Sequence, residues 1–207
     1  MTRRSHHIRR QQATNIKPAI RLAEKRGAPL NRFVTINFSN LGCDEASVST
    51  AFAKIRERFA RWVRSGSTKT NQQAAAFVWV IENGGGHLAA HWLVHVPDAR
   101  FADFQNRLRG WVCKATGTAA IEGTALDIKR AGTPLGAGKY MMKGIDPAYA
   151  DFYGITHVPQ GLVHGKRCGF SQSLGPASCR RERTYYTQIR ADRRAATATA
   201  DSATAAA

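Results

Sequence analysis

The sequence is short of acidic residues, and this shortage is its strongest global feature. Among 207 residues it has 14 Asp and Glu against 31 Lys and Arg, which gives a formal net charge of +17. A surplus of this size favours a polyanionic partner, whose condensed counterions are released on binding. The composition therefore predicts a nucleic-acid partner. A basic surface kept only for solubility is the alternative, which so uneven a charge disfavours.

Long apolar runs and paired cysteines are also missing. No run approaches the roughly 18 apolar residues of a membrane helix, and the Arg-rich N-terminal sequence has no apolar segment typical of a signal peptide. The four cysteines are scattered singly, without a Cys-x-x-Cys pair: Cys43, Cys113, Cys168 and Cys179. The lack of paired cysteines argues against a zinc knuckle and a disulfide framework. We expect a soluble, cytoplasmic protein with free thiols and no membrane partner.

The chain is long enough for one domain with a core, flanked by segments of different composition. The predicted parts are a basic N-terminal arm at 1–31, a folded domain at 32–146, a basic Gly-rich extension at 147–190 and a disordered Ala/Thr tail at 191–207. The arm is expected to lie along a phosphate backbone and to be helical from about Pro18 to Arg26. A disordered tail is the alternative.

Hydrophobic periodicity inside the central domain predicts the order strand, helix, strand, strand, helix, strand. The elements are a strand at 32–39, an amphipathic helix with apolar residues from Val48 to Val63, a hairpin over 77–97, a helix from Asp98 to about Lys114 and a strand at 125–129. This order is the split βαβ pattern of an α+β, ferredoxin-like fold, with an antiparallel sheet, two helices on one face and the other face uncovered. A short helix carrying Tyr140 and a basic, irregular C-terminal segment follow.

The predicted hairpin places one carboxylate and three imidazoles on or beside paired strands. Glu82 precedes the Asn-Gly-Gly-Gly tip, and His87, His91 and His95 follow it. His87 and His95 share a face with His91 but lie four residues from it, roughly 13 Å along a strand, which is too far for binding one ion at about 2 Å. His91 with Glu82 is therefore the candidate metal pair. An imidazole hydrogen-bonded within the sheet is the alternative for His91.

Three segments in this order resemble the motifs of the HUH endonucleases, the rolling-circle replication initiators (Rep) named for a His-hydrophobic-His metal motif. They are the strand Phe33-Val34-Thr35-Ile36-Asn37, the hairpin with Glu82 and His91 ahead of Leu93-Val94-His95-Val96-Pro97, and the pair Tyr140-x-x-Lys143. The stretch from Gly165 to Ser171 is also similar to bacterial and phage members. The resemblance covers about Phe33 to Gly144, and it implies an HUH-like nuclease domain at 32–146.

The resemblance implies a metal-dependent tyrosine DNA endonuclease and strand transferase. Tyr140 would attack a phosphodiester of single-stranded or hairpin DNA, forming a 5′-phosphotyrosine link and freeing a 3′-hydroxyl for replication. Lys143, three residues on along the predicted helix, would share a face with Tyr140 and contact the same phosphate. His91 and Glu82 would hold Mg²⁺ or Mn²⁺, which polarises that phosphate. A plasmid or phage setting and the host replication machinery as a partner are further implications.

One departure from the family pattern concerns Ala89, where a histidine two residues before His91 is expected. Two alternatives therefore remain: a catalytically degenerate DNA-binding protein on the same fold, and an RNA-binding module. In each case basic residues would contact phosphates, and the sequence predicts these contacts at Lys139, Lys166, Arg167, Arg180 and Arg181.

Overall fold

Seven strands, five α-helical segments and six short 3-10 helices make up the described part of the protein, in a computed structural model that covers residues 4–66, 74–185 and 187–188. In chain order the strands are β1 (Arg4–Ser5), β2 (Arg32–Asn37), β3 (Phe77–Gly84), β4 (His87–Val94), β5 (Leu126–Arg130), β6 (Val163–His164) and β7 (Cys168–Phe170). The helices are α1 (Arg10–Lys25), α2 (Val48–Ser65), α3 (Phe101–Thr116), α4 (Pro134–Met141) and a last segment, α5, at 176–185.

Five of the strands form one antiparallel sheet, in the order β5-β2-β4-β3-β7. The short strands β1 and β6 pair with each other outside this sheet. The hairpin of β3 and β4 turns at Gly85 and Gly86, which have φ angles of 61° and 82°. Such positive φ values are accessible to glycine at little cost. The predicted α+β class with an antiparallel sheet is confirmed.

The helices α2 and α3 pack on one face of the sheet, and the core between them is aromatic. Alternate residues of β4, including Ala90 and Trp92, point into it. Trp92 is fully buried, with its ring centroid 4.9 Å from that of Phe59 and 5.7 Å from that of Phe52. Edge-to-face contacts of this kind add to the free energy of apolar burial. The interior of this face is filled by apolar side chains, and Arg56 of α2 stacks on the Trp79 ring.

The opposite face, predicted to be uncovered, is covered by α1 and α4. Ile16 and Ile20 of α1 belong to one buried cluster with Val78 and Leu93 of the sheet. Helix α1 comes from the segment predicted as a basic arm. Its buried apolar residues recur at three- and four-residue steps. One side of the helix therefore packs on the sheet, and the basic side chains are exposed to solvent on the other side.

The C-terminal segment, predicted to be irregular, adds the strands β6 and β7 and the helix α5 to the fold. Strand β7 pairs with the edge of β3, and Gly169 allows the close approach, because a Cβ there would lie 2.6 Å from the Trp79 ring. The predicted Ala/Thr tail at 191–207 lies outside the described residues. Among the helices of the described ranges, none is both long and apolar enough to cross a membrane.

Candidate active site

Two of the predicted site residues, Glu82 and His91, are neighbours on the sheet face that α1 and α4 cover. The register pairs Glu82 with Ala89 and Val80 with His91, so Glu82 and His91 are diagonal neighbours across two strands. Glu82 Oε2 lies 3.0 Å from His91 Nε2, and both side chains are buried. The sheet therefore presents a carboxylate and an imidazole in direct contact.

Tyr140 and Lys143 meet this pair from α4 and the turn that follows it. Helix α4 ends at Met141, which corrects the expectation that both residues lie on one helix. The turn still holds them together, because the Lys143 backbone N–H donates to the Tyr140 carbonyl at 3.0 Å. Lys143 Nζ donates to Tyr140 Oη at 2.9 Å and lies 3.0 Å from Glu82 Oε2. One ammonium group thus bridges the phenol and the carboxylate.

The surroundings of Lys143 keep it charged. Burial disfavours the ammonium form, but the hydrogen bond with Tyr140 and the charge of Glu82 outweigh burial and raise the pKa of Lys143 above its ordinary value. A fixed cation beside the phenol oxygen stabilises negative charge that develops there. The Tyr140 side chain is half exposed, so a large substrate can reach its hydroxyl.

Two residues that the sequence did not single out hold His91 in place. Thr35 Oγ1 lies 3.2 Å from His91 Nδ1, and Phe33 stacks on the imidazole with ring centroids 5.5 Å apart. Both belong to β2, where Thr35 is the register partner of His91. The alternation along Phe33-Val34-Thr35 indicated that Phe33 and Thr35 share a face. The pairing of that face with His91 depends on long-range register, which the local pattern does not contain.

The donor atoms of this site fit a divalent cation that prefers oxygen. Glu82 Oε1 is buried and has no hydrogen-bond partner among the described residues. His91 can present Nε2 while Thr35 orients the ring through Nδ1, an arrangement common around metal-binding histidines. No group of three His, Cys, Asp or Glu occurs in the described parts of the chain. Mg²⁺ and Mn²⁺ tolerate few protein ligands, because they retain water and prefer oxygen.

An open pocket of about 430 Å³ leads from the surface to the carboxylate. Its lining includes Glu82, Ala89 and Lys143 on one side and Val158 to Gln160 on the other. Because Ala89 has only a methyl group, the space beside Glu82 stays free at the position where the resemblance leads one to expect histidine. The pocket is open to solvent.

Four of the predicted phosphate contacts lie on the surface. Lys139 is exposed next to Tyr140, and Lys166 is exposed in the turn before β7. Arg180 and Arg181 are exposed on α5, which is tied to the C-terminal end of α1 by a salt bridge of its Glu182 with Lys25. The structure thus places Lys139 beside the candidate nucleophile and the two arginines on a separate helix.

Arg167 requires a correction, because its side chain is only 1% exposed. Its guanidinium donates to the carbonyls of Ser5 and Gln160, at 2.8 Å and 3.1 Å. Burial lowers the pKa of Arg167 to about 10, and the charge of Glu82 opposes this shift. Arg167 therefore holds the pocket wall at Gln160 from inside and does not present its charge at the surface.

A comparison of the chain with protein-family models and with curated proteins finds no match. The resemblance to HUH endonucleases therefore depends on the residues themselves. A carboxylate–imidazole pair on the sheet faces a tyrosine–lysine pair, and Lys143 joins the two.

Proposed function

We propose that the protein is a metal-dependent endonuclease of the replication-initiator type, which nicks and rejoins single-stranded DNA through a 5′-phosphotyrosine intermediate. One observation carries this proposal: the Lys143 ammonium contacts both Tyr140 Oη and Glu82 Oε2. A nucleophile, a cation and a metal-suited carboxylate therefore lie within contact of one another. This convergence supports the assignment of Tyr140 as a nucleophile activated by a neighbouring cation and a metal ion.

The strand order supports the same proposal. Helix α2 joins β2 to β3, α3 joins β4 to β5, and the strands lie in the order β5-β2-β4-β3. We therefore infer a ferredoxin-like, split βαβ frame with β7 added at one edge. In this frame His91 lies on a strand with neighbours on both sides, which fixes its position.

The proposed reaction is a phosphoryl transfer from DNA to the tyrosine and back. Tyr140 Oη forms a bond to the phosphorus, the bond from phosphorus to the 3′ oxygen breaks, and the DNA keeps its 5′ phosphate on the enzyme. The half-exposed phenol releases its proton to solvent, and the leaving 3′ oxygen takes one up. Lys143 stabilises negative charge at Oη through its 2.9 Å hydrogen bond. A divalent cation on Glu82 and His91 would supply a Lewis acid for the phosphate.

A DNA partner agrees with the distribution of charge. The chain has a formal net charge of +17, and Lys139 lies exposed beside the nucleophile. Each phosphate neutralised by such a cation releases counterions, which makes binding depend on salt. Single-stranded DNA suits the site because an unpaired backbone can enter the open pocket at Glu82 and Lys143.

The experiment that tests this function is covalent capture. Purified protein is incubated with Mn²⁺ and a random-sequence pool of single-stranded DNA that is labelled at the 3′ end, since that part of the DNA stays on the enzyme. We expect a labelled adduct that survives denaturing electrophoresis and is absent in Tyr140→Phe. The matched control is Tyr185→Phe, which alters an exposed tyrosine on α5. An adduct that persists in Tyr140→Phe contradicts the assignment.

Ala89 favours a second candidate function, a DNA-binding protein on the same fold without nuclease activity. With alanine there, and no group of three His, Cys, Asp or Glu in the residues that the structure describes, the metal site has few ligands. This candidate predicts salt-sensitive DNA binding, no adduct and no Mn²⁺ affinity. Mn²⁺ binding by the wild-type protein would reject it.

A further inference from the structure

Ala89 lies between two polar residues of the neighbouring strands. In the register it pairs with Asn37 on β2 and with Glu82 on β3. Residues directly opposite one another in antiparallel strands point to the same face of the sheet. Asn37, Ala89 and Glu82 therefore form one row across three strands. Thr35 and His91 form the adjacent row, and the contact of His91 Nε2 with Glu82 Oε2 shows that this row faces the same way.

Two oxygens in the first row are buried and lack hydrogen-bond partners within the part of the chain that the structure describes: Glu82 Oε1 and Asn37 Oδ1. Buried polar groups in native proteins nearly always have a partner. Two unpaired oxygens on either side of one alanine therefore point to a ligand that supplies positive charge to both. The small side chain of Ala89 leaves room between them, and the pocket lined by Glu82 and Ala89 reaches this row from outside.

The spacing of the row suits a metal ion. Neighbouring strands lie about 4.8 Å apart, so the Cα atoms of Asn37 and Glu82 are separated by about 10 Å. Two metal–oxygen bonds of about 2.1 Å take up about 4 Å of that separation. An asparagine and a glutamate side chain that lean toward each other over the Ala89 methyl can span the remainder. His91, whose Nε2 already contacts Glu82, approaches from the adjacent row.

We propose that Asn37 Oδ1 is a third protein ligand of the divalent cation, together with Glu82 Oε1 and His91 Nε2. This inference rests on the proposed function for the presence of the cation. Asn37 would provide from β2 the donor that alanine at position 89 does not provide from β4. A ligand set with a single negative charge leaves the cation with net positive charge, which favours a phosphate oxygen at a remaining position.

Binding of Mn²⁺ to the full-length protein, measured by the electron paramagnetic resonance of the free ion, tests this ligand without any DNA. We expect Asn37→Ala to weaken Mn²⁺ binding by about tenfold, which corresponds to about 1.4 kcal/mol. We expect Asn37→Asp, which keeps an oxygen at the same place and adds a charge, to bind at least as tightly as the wild type. The matched control is Asn40→Ala, three residues further along and exposed, with Mn²⁺ affinity unchanged.

Stability of the metal-free protein separates a ligand from a structural asparagine. Because Asn37 Oδ1 has no partner among the described residues, Asn37→Ala should unfold at the same urea concentration as the wild type without metal and gain less stability from Mn²⁺. If Asn37→Ala binds Mn²⁺ as tightly as the wild type while Glu82→Gln does not bind it, Asn37 is not a ligand. The proposed function would then remain intact. No Mn²⁺ binding by the wild type would overturn both the ligand and the metal.

Discussion

The two faces of the sheet differ in chemistry although the same strands build both. Trp92 points into the face under α2 and α3, among Phe52, Phe59 and other buried rings. Its neighbour His91 points into the face under α1 and α4, where it contacts Glu82. The first face is packed mainly with apolar side chains. The second is apolar beneath its helices and carries the carboxylate, imidazole, phenol and ammonium groups at its open end.

This difference places the aromatic core and the candidate site on opposite faces of one strand. Side chains alternate between faces along β4, so a single residue step moves from the aromatic core to the candidate site. A rigid core on one face holds the backbone that positions the reactive groups on the other. Substitutions on the first face should therefore reduce stability, whereas substitutions at the open end of the second should reduce activity.

The largest effect is expected for Trp92→Ala. Removing this fully buried ring leaves a cavity under α2, and we expect the free energy of unfolding to fall by about 3–5 kcal/mol, measured by urea denaturation. Trp111→Ala, at the partly buried rim of the same cluster, should cost less. Tyr140→Phe should cost less than about 0.5 kcal/mol, because the tyrosine is half exposed. Equal losses for Trp92→Ala and Tyr140→Phe would contradict the division between the faces.

The adjacent pair Lys166 and Arg167 tests the division at the edge of the site. Arg167→Met should lower the free energy of unfolding by about 3 kcal/mol, because it leaves buried carbonyls without their charged donor. Lys166→Ala, at an exposed position, should leave stability unchanged and weaken DNA binding, with a salt dependence smaller by about one counterion. The reverse result, a stable Arg167→Met with weak DNA binding, would restore the surface role predicted from the sequence.

The packing of α4 on α1 connects the second face to the position of Tyr140. A Cβ at Gly138 would overlap with the buried Ile20 Cδ1, so Gly138→Ala should cost about 1–2 kcal/mol and shift Tyr140 away from Glu82. The matched control is Gly110→Ala in α3, where a Cβ meets nothing within 4 Å and a gain of about 0.5–1 kcal/mol is expected. Urea denaturation measures the stability of the two variants, and the yield of the DNA adduct measures their activity. Normal adduct formation in Gly138→Ala would show that α4 tolerates displacement.

The smallest effect concerns the pH dependence that Lys143 adds to stability. Its folded-state pKa is raised, so its favourable contribution is fully present below the ordinary lysine pKa of about 10.4 and is lost as the pH rises through the folded value. The difference in unfolding free energy between wild type and Lys143→Met should therefore stay constant from about pH 6 to 9 and shrink at higher pH. A difference that changes at neutral pH would assign the effect to another group.

The candidate site was predictable where its signal is local. Glu82, His91, Tyr140 and Lys143 each lie in a short motif with its own spacing, and the structure brings all four together. Thr35 and Phe33 were not assigned, because their contacts with His91 depend on the pairing of β2 with β4. The proximity of Asn37 and Glu82 also depends on strand pairing, because Glu82 is 45 residues away along the chain and two strands away in the sheet.

The sequence by itself determined the α+β class, the positions of the main strands and helices, and the four candidate site residues. Periodicity and turn residues act over a few positions, so a linear reading contains them. Only the tertiary structure decided that α1 covers the second face, that Arg167 is buried and that Ala89 lies between two oxygens without hydrogen-bond partners among the described residues. Burial and register depend on surfaces that meet only when distant segments pack. In the N-terminal and C-terminal segments, the many basic residues also obscured the apolar residues that pack on the sheet.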